Sequence, residues 1–576
     1  MSSYSETSSR IESLFIHGVA QHQRGQLDEA QRTYEAVLSK EPTHFDALQL
    51  LATTHAQLGR HQQAMALFEK ALMIDQNNPT VFSNMGLSQR ALEQSADAFD
   101  SFQKALTIDD GHFLALCNLT EMLIEQERYD EALPVCQVGA ARHQSHAIFL
   151  YREGQAQEGL GQFQKALQCY EKTVQIDPQN LDARFRAGNM YALMRQFDQA
   201  QLVFDQILVT NPLTPAVHLN KGATYVDMGE SSAAIESYSR ALNIDSSFAD
   251  AKYNRGRILL ANCKFQEGFS DYRSRWHAQT FSTARLRTAI PLLNRGHTVD
   301  RALLWGEQGL GDEVFYSGLI PQAGGVAKNL SIAVDKRLHG LYARSFPHVH
   351  LVDRKRIKLE IEEPQYDGHL PLGDLAYFLD LDEPRIRESR RPFLVPDPRL
   401  KNSVSETALF QQNKIVCGVS WRSSSGKDGA ASSLELASLV EALETPGIAF
   451  VNLQYGEVSD EIQALRDHTG IVVHQLPDID LFQDIESLVA LISACSAVIS
   501  IGNVTAHLAG AIGKQGAVLC PFGSSRPWYW HLGHSTSLWY PSLKVFDQAS
   551  DLSWRGAIKS SSAWLKSLTQ CEQQSQ

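Results

Sequence analysis

A period of 34 residues runs through the first half of the chain and limits its fold more than any other feature. With units starting at 11, 45, 79, 113, 147, 181, 215 and 249, the eighth residue is Gly18, Ala52, Gly86, Thr120, Gly154, Gly188, Gly222 and Gly256. The twentieth is Ala30, Ala64, Ala98, Ala132, Ala166, Ala200, Ala234 and Gly268. The twenty-fourth is aromatic in seven of eight units: Tyr34, Phe68, Phe102, Tyr170, Phe204, Tyr238 and Tyr272, with Cys136 in the fourth. Small residues at two fixed positions let a pair of antiparallel helices approach closely, and the aromatic is expected to fill the gap to the next pair. Pro42, Pro178 and Pro212 recur where the second helix must end.

This pattern resembles the tetratricopeptide repeat, with seven full copies and a closing eighth over residues 11–276, after a disordered start at 1–10. The resemblance implies an all-α superhelix whose inner groove is lined by the first helix of each unit. The sixth position should face that groove; it is Asn84, Asn118, Asn220 and Asn254 in four units and Arg152 and Arg186 in two. Carboxamides both donate and accept, so such a ladder can hold an extended peptide backbone, or it can simply be a solvated helix face. The same ladder is found in O-linked N-acetylglucosamine transferases, which this stretch resembles.

From about Ala302 the pattern changes to short apolar runs alternating with amphipathic segments, as parallel α/β sheets require. Strands are expected at 302–305, 329–335, 348–352, 414–421, 448–454, 471–474, 496–501 and 516–520. Residues 277–300 read as a linker, 301–395 as a first α/β lobe and 396–576 as a second with a closing helix. Two such lobes would place a ligand outside the carboxyl ends of their strands.

Four motifs fall at those ends. Gly309-Leu310-Gly311-Asp312 follows a strand and opens a helix; its glycines suit a close backbone approach to a substrate. Asp312 can be a general base or a helix cap, and spacing alone favours the cap. Trp421 to Lys427 is a Ser- and Gly-rich loop with an arginine and a lysine, able to hold a diphosphate. Gly502-Asn503-Val504-Thr505-Ala506-His507 is a turn into a helix whose amide end attracts anions. Trp528, Tyr529 and Trp530, with Trp539 and Tyr540 later, can stack on a sugar or base or cover a core edge.

Together GEQGLGD, the run from Asn503 to Gly510, the late Trp539-Tyr540-Pro541 and the junction from Gly268 to Trp276 resemble glycosyltransferase family 9 enzymes fused to repeats. The resemblance covers about residues 11–570 and implies a GT-B architecture of two Rossmann-like lobes. It implies transfer of a sugar from a nucleotide-sugar, without a bound metal or cofactor. It makes Asp312 the catalytic base, with Gly309 and Gly311 beside the substrate. Lys427 and His507 would contact the donor diphosphate, with Asn503, Val504 and Thr505 at the same helix start and Glu457 holding the donor. Many members carry Asp where this chain has Gly502, which leaves the donor and the strength of the site open. A repeat groove joined to a sugar transferase points to an acceptor protein, as in bacterial flagellin glycosyltransferases. A saccharide acceptor, or a noncatalytic scaffold with a degenerate second half, remains open as well.

Charge and composition limit the other readings. A net charge of −13 argues against a general nucleic-acid binder, and no apolar run reaches the ~20 residues that span a bilayer. MSSYSETSSR does not read as a secretory signal, so a cytoplasmic location is expected. The eight cysteines contain no CxxC pair and mostly lie in apolar segments, so buried free thiols are expected rather than disulfides or zinc.

Overall fold

The computed structural model describes residues 2–357, 365–423, 429 and 431–574. Sixteen helices occupy Ser2 to Tyr272, two per 34-residue unit. The chain divides into two compact units, Met1–Pro212 and Leu213–Gln576, so the last two repeats belong with the α/β half rather than with the other six. The boundary expected at residue 276 is therefore not where packing divides the chain.

In the first unit the aromatic at the twenty-fourth position packs inside its own helix pair and shares a core cluster with the next one: Phe68 with Val81, Phe102 with Leu119, and Tyr170 with Ala183. A methyl group built on Gly86 would stand 2.6 Å from the Phe102 ring, and on Gly154 or Gly188 2.6 or 2.7 Å from Tyr170 or Phe204. Glycine at the eighth position is thus a steric demand of the ring sixteen residues on. In the fourth repeat both partners change together: Thr120 and Cys136 are buried, and Arg152 Nη1 donates to Thr120 Oγ1 at 2.9 Å. Volume moves from one helix to the other while the pair stays filled. The last residue of a unit caps the next helix: His44, Asn78, His112 and Asn180 accept from the amide three residues on.

The second unit starts with helices Pro215–Met228, Ser231–Ile244, Ala249–Ala261 and Phe265–Tyr272, then a tight turn Arg273–His277. Its first sheet is built from β1 (Val299–Trp305), β2 (Ala327–Val334), β3 (His350–Asp353) and β4 (Gly368–Pro371). All its pairings are parallel, in the order β3-β2-β1-β4. The second holds β5 (Ile415–Ser420), β6 (Ile448–Asn452), β7 (Val473–His474), β8 (Ala497–Ile501), β9 (Gly516–Cys520) and β10 (Leu543–Asp547). It too is all parallel, in the order β10-β9-β8-β5-β6-β7. Counted from β5, this is the 3-2-1-4-5-6 order of doubly wound sheets. Neighbouring residues of β5 feed different cores, Val416 one and Cys417 and Val419 the other, which is why the strand reads as an unbroken apolar run.

Two strands, β4 and β10, were not legible beforehand. β4 is four residues with a glycine and a proline, and β10 carries a lysine and an aspartate as suits an edge. Among the described residues no helix is long and apolar enough to cross a membrane. Cys117, Cys136, Cys169, Cys263, Cys417, Cys495 and Cys520 are free thiols, five of them buried.

Candidate active site between the two sheets

Strand order reverses between β1 and β4 in the first sheet and between β5 and β8 in the second. Ligands of such sheets bind at those reversals. The loop after β1 enters the helix Leu310–Ser317, and the loop after β8 enters Val504–Ala511. The two helix starts meet. A methyl group on Gly311 would lie 3.3 Å from His507 Cδ2 and 3.6 Å from Val504 Cα. Gly311 therefore serves the approach of one helix to the other. Gly309 has no such crowding; it is the N-cap of its helix. Gln308 before it has φ +46°, a left-handed backbone that places the following turn.

Asp312 stands at the third position inside this helix rather than at its cap. Oδ2 accepts from the Gly309 amide at 3.2 Å, and the Tyr529 hydroxyl donates toward Oδ1 at 3.5 Å. Burial pushes its carboxyl up to about 6, partly offset by the Gly309 amide. One oxygen caps while the other faces the aromatic cluster, so the cap and the base do not compete for the same lone pairs.

His507 is 1% exposed. Its ring stacks on Trp530 at 5.1 Å between centroids, meets Tyr529 edge-on at 5.0 Å, and has Nδ1 3.1 Å from the Tyr540 hydroxyl. Burial pushes it down to about 3, so the imidazole is neutral. A neutral His507 can take part in a hydrogen bond but brings no positive charge at neutral pH.

Asn503 is committed within the protein. Its Oδ1 accepts from Thr505 N at 3.0 Å, and its Nδ2 donates to Ser420 Oγ at 2.8 Å and Arg422 O at 3.2 Å. It ties the end of β8 to the end of β5 across the reversal. Thr505 is fully buried with Oγ1 3.4 Å from Leu453 O, and Val504 is half-buried under Gly311. Gly502 is glycine because the Trp530 indole occupies its side-chain space: a Cβ would sit 2.6 Å from Nε1. Glu457 is exposed beyond β6 and only its carbonyl is engaged, by Arg422 at 2.9 Å. Lys427 lies outside the described residues.

Other residues at the reversals were not singled out from sequence. Gln454 Oε1 accepts from Ser420 Oγ, Trp421 N and Arg422 N at 3.0, 2.9 and 2.7 Å, holding the loop after β5. Arg275, in the junction from Gly268 to Trp276, is fully buried and grips Glu307 with two bonds of 3.0 and 2.7 Å and Asp374 at 2.6 Å. Those carboxylates end β1 and β4, so the last repeat is fastened to the reversal of the first sheet. The signal available was the arginine cluster in the junction beside an unexplained Glu in GEQGLGD.

The six sixth-position asparagines and arginines are all half-buried. Asn84 Nδ2 donates to Thr53 Oγ1 at 3.3 Å and Asn118 Nδ2 to its own helix at Leu114 O, 2.7 Å. Arg152 pairs with Glu121 at 3.5 Å and Arg186 with Glu158 at 2.9 Å, each reaching back to the preceding repeat. Asn220 and Asn254 occupy the same register in the second unit. At Asn84 and Asn118 the carboxamide donors thus already have protein acceptors.

The chain carries tetratricopeptide repeats: family models described as tetratricopeptide repeat match residues 21–83, 159–221 and 123–181, and one described as TPR repeat matches 210–262. It is 30% identical over 364 residues to protein FlbA of Caulobacter vibrioides, covering 60% of each chain. It is 23% identical to anaphase-promoting complex subunit 3 of Schizosaccharomyces pombe over 34% of this chain and 30% of that one. The chain thus spans between about a third and three fifths of the length of these relatives. Among solved structures, MamA from Desulfovibrio magneticus is similar at 21% identity over 29% of this chain and 95% of that one, with a TM-score of 0.28.

Proposed function

We propose that this chain is a GT-B glycosyltransferase that moves a sugar from a nucleotide-sugar to Ser or Thr of an acceptor protein held by its repeats. Flagellin is the acceptor favoured by the resemblance to flagellin glycosyltransferases. The observation that supports it most is the position of Asp312, at the meeting of two strand-order reversals, with a carboxyl raised toward neutrality. On this reading Asp312 takes the proton of the acceptor hydroxyl as its oxygen attacks the anomeric carbon, and the bond to the diphosphate breaks. The departing charge is met by the start of the helix Val504–Ala511 and by Lys427, with His507 a neutral partner.

A second reading, a noncatalytic repeat scaffold, is favoured by one observation: the Thr505 amide and the Asn503 side chain are already satisfied within the protein. Two measurements separate them. Intact masses of surface proteins from cells with and without the gene should differ by a whole number of sugar masses, and the purified chain should bind a nucleotide-sugar by calorimetry. Unshifted masses and no binding leave the scaffold reading.

A further inference from the structure

Three consecutive residues after β1 are held by three different groups. The buried Glu307 carboxylate takes two bonds from Arg275, at 3.0 Å to Oε1 and 2.7 Å to Oε2. The Gln308 carbonyl accepts from Arg354 Nη1 at 3.1 Å. The Gly309 amide donates to Asp312 Oδ2 at 3.2 Å. Arg354 also pairs with Glu313, so it ties both sides of Asp312 together. There is no slack at either end: a methyl group on Gly373 would collide with Glu307 Oε1, and one on Gly306 with Glu313 Oε1.

Within this turn Gln308 keeps a left-handed backbone, φ +46°. A non-glycine residue stays in that conformation only where its surroundings over-determine it. Arg275 supplies such a constraint from outside the sheet, because it belongs to the turn Arg273–His277 that closes the last repeat. Its guanidinium is itself fixed before it reaches Glu307. It lies 4.8 and 4.6 Å from the Tyr272 and Trp276 ring centroids and donates to Asp374 at 2.6 Å. A planar two-bond fork sets orientation as well as distance, which a lysine ammonium cannot do.

We propose that Arg275 is a positioning residue for Asp312: through its forked bond to Glu307 it fixes the turn 307–309, and with it the place of the Asp312 carboxyl. The closing repeat is then part of the catalytic machinery as well as of the array. That the carboxyl so placed takes a proton rests on the transferase reading; its placement by Arg275 does not.

Two variants of the full chain test this without a substrate. Arg275→Lys keeps the charge and loses the fork. Arg275→Met with Glu307→Gln and Asp374→Asn keeps the shape of the cluster without its charges, so the chain stays folded. In both, hydrogen exchange at the Gly309 amide should quicken by about tenfold or more, the effect of losing a hydrogen bond to a charged group, while β8 is unchanged. The Asp312 carboxyl carbon, followed by NMR and assigned by its loss in Asp312→Asn, should titrate lower than in the unaltered protein as water reaches a loosened turn. Unchanged exchange at Gly309 in both variants, a rise shared equally by β8, or an unmoved Asp312 titration overturns the proposal. Returned to cells lacking the gene, the variants should add sugar mass to surface proteins roughly 10²-fold more slowly, as a misplacement of about 1 Å does. Addition at the unaltered rate also overturns it. No added mass even with the unaltered gene removes the transferase reading, and the exchange result then decides the role of Arg275.

Discussion

Trp530 and Gly502 exclude one another's side chains: the indole nitrogen lies 2.6 Å from where a Cβ on residue 502 would be. The indole is 1% exposed and packed on His507 and Tyr540, so it cannot swing away without opening the cluster. Gly502→Ala should cost about 1–3 kcal/mol, the usual price of overpacking a tight site. In a double-mutant cycle with Trp530→Leu the two changes should couple by at least ~1 kcal/mol. Urea unfolding of the four proteins gives the value, and additivity within ~0.5 kcal/mol would show that the two positions do not compete.

Asp312 lets the cap and the base be told apart by one substitution. Asp312→Asn retains an oxygen for the Gly309 amide, so the melting temperature should hardly change. The amide cannot accept a hydroxyl proton, and sugar transfer should fall by roughly 10²–10⁴-fold with donor binding intact. Asp312→Ala should in addition lose about 1 kcal/mol of stability. Transfer at the original rate by the Asn variant would leave Asp312 a structural residue.

The repeat register and eight of ten strands were legible because each rests on a short-range demand: glycine under a ring, or an apolar run buried on both faces. The meeting of Gly311 with His507, and of Gly502 with Trp530, was not, since those partners are separated by 196 and 28 residues and only the closed fold brings them together. The same holds for Asn503, whose place after a strand suggested an anion site. Its amide instead bridges to Ser420, 83 residues earlier. Sequence spacing picked out two of the segments that meet between the sheets; it could not say which of their polar atoms the protein uses up itself.

Arg275 should be among the least replaceable residues of the second unit. Arg275→Met leaves Glu307 buried without its cation and Asp374 with only Arg273, at 3.3 Å, a loss of about 3–5 kcal/mol. Adding Glu307→Gln and Asp374→Asn removes the stranded charges, and most of the stability should return because a buried ion cluster is often no better than neutral groups of the same shape. Urea midpoints of the single and triple variants decide it; a single variant that loses under ~1 kcal/mol would mean the cluster relaxes into solvent.

The compact division at Pro212 predicts how the chain can be cut. Residues 1–212 should fold alone as a helical array, with cooperative unfolding and helical circular dichroism. Residues 1–276, which end after the last repeat, should be less soluble. That cut strips Phe265, Phe269 and Tyr272 of the Trp528 and His531 rings that cover them. Equal solubility of the two fragments by sedimentation would show that the last repeats do not need the α/β half.

Opposed buried groups set the acid response of the second unit. Burial pushes Glu307 and Glu313 up to about 7 and Asp312 to about 6, so the folded state holds protons that the unfolded chain has released. Their contribution is full below the ordinary carboxylate range and is lost as pH rises through those values. Burial pushes His507 and His531 down to about 3 and His369 to about 4, the opposite case. For His531 the reason is visible: Nδ1 faces the Leu260 carbonyl at 2.9 Å and Nε2 faces the Trp539 indole N–H at 2.9 Å, so a second proton has no acceptor. The histidine contribution is present above the unfolded value of 6.5 and is lost as pH falls toward 3. Between about pH 7 and 4.5 the two sets offset each other; below about 4.5 the histidines are no longer opposed, acids held below the usual carboxylate range by hydrogen bonds, such as Asp335 beside Arg337, lose their contribution too, and stability should drop steeply. Chemical denaturation from pH 7.5 to 3.5, followed by tryptophan fluorescence, should show a shoulder and then a fall. A steady decline beginning at pH 6.5 would mean the three carboxyl groups are not raised.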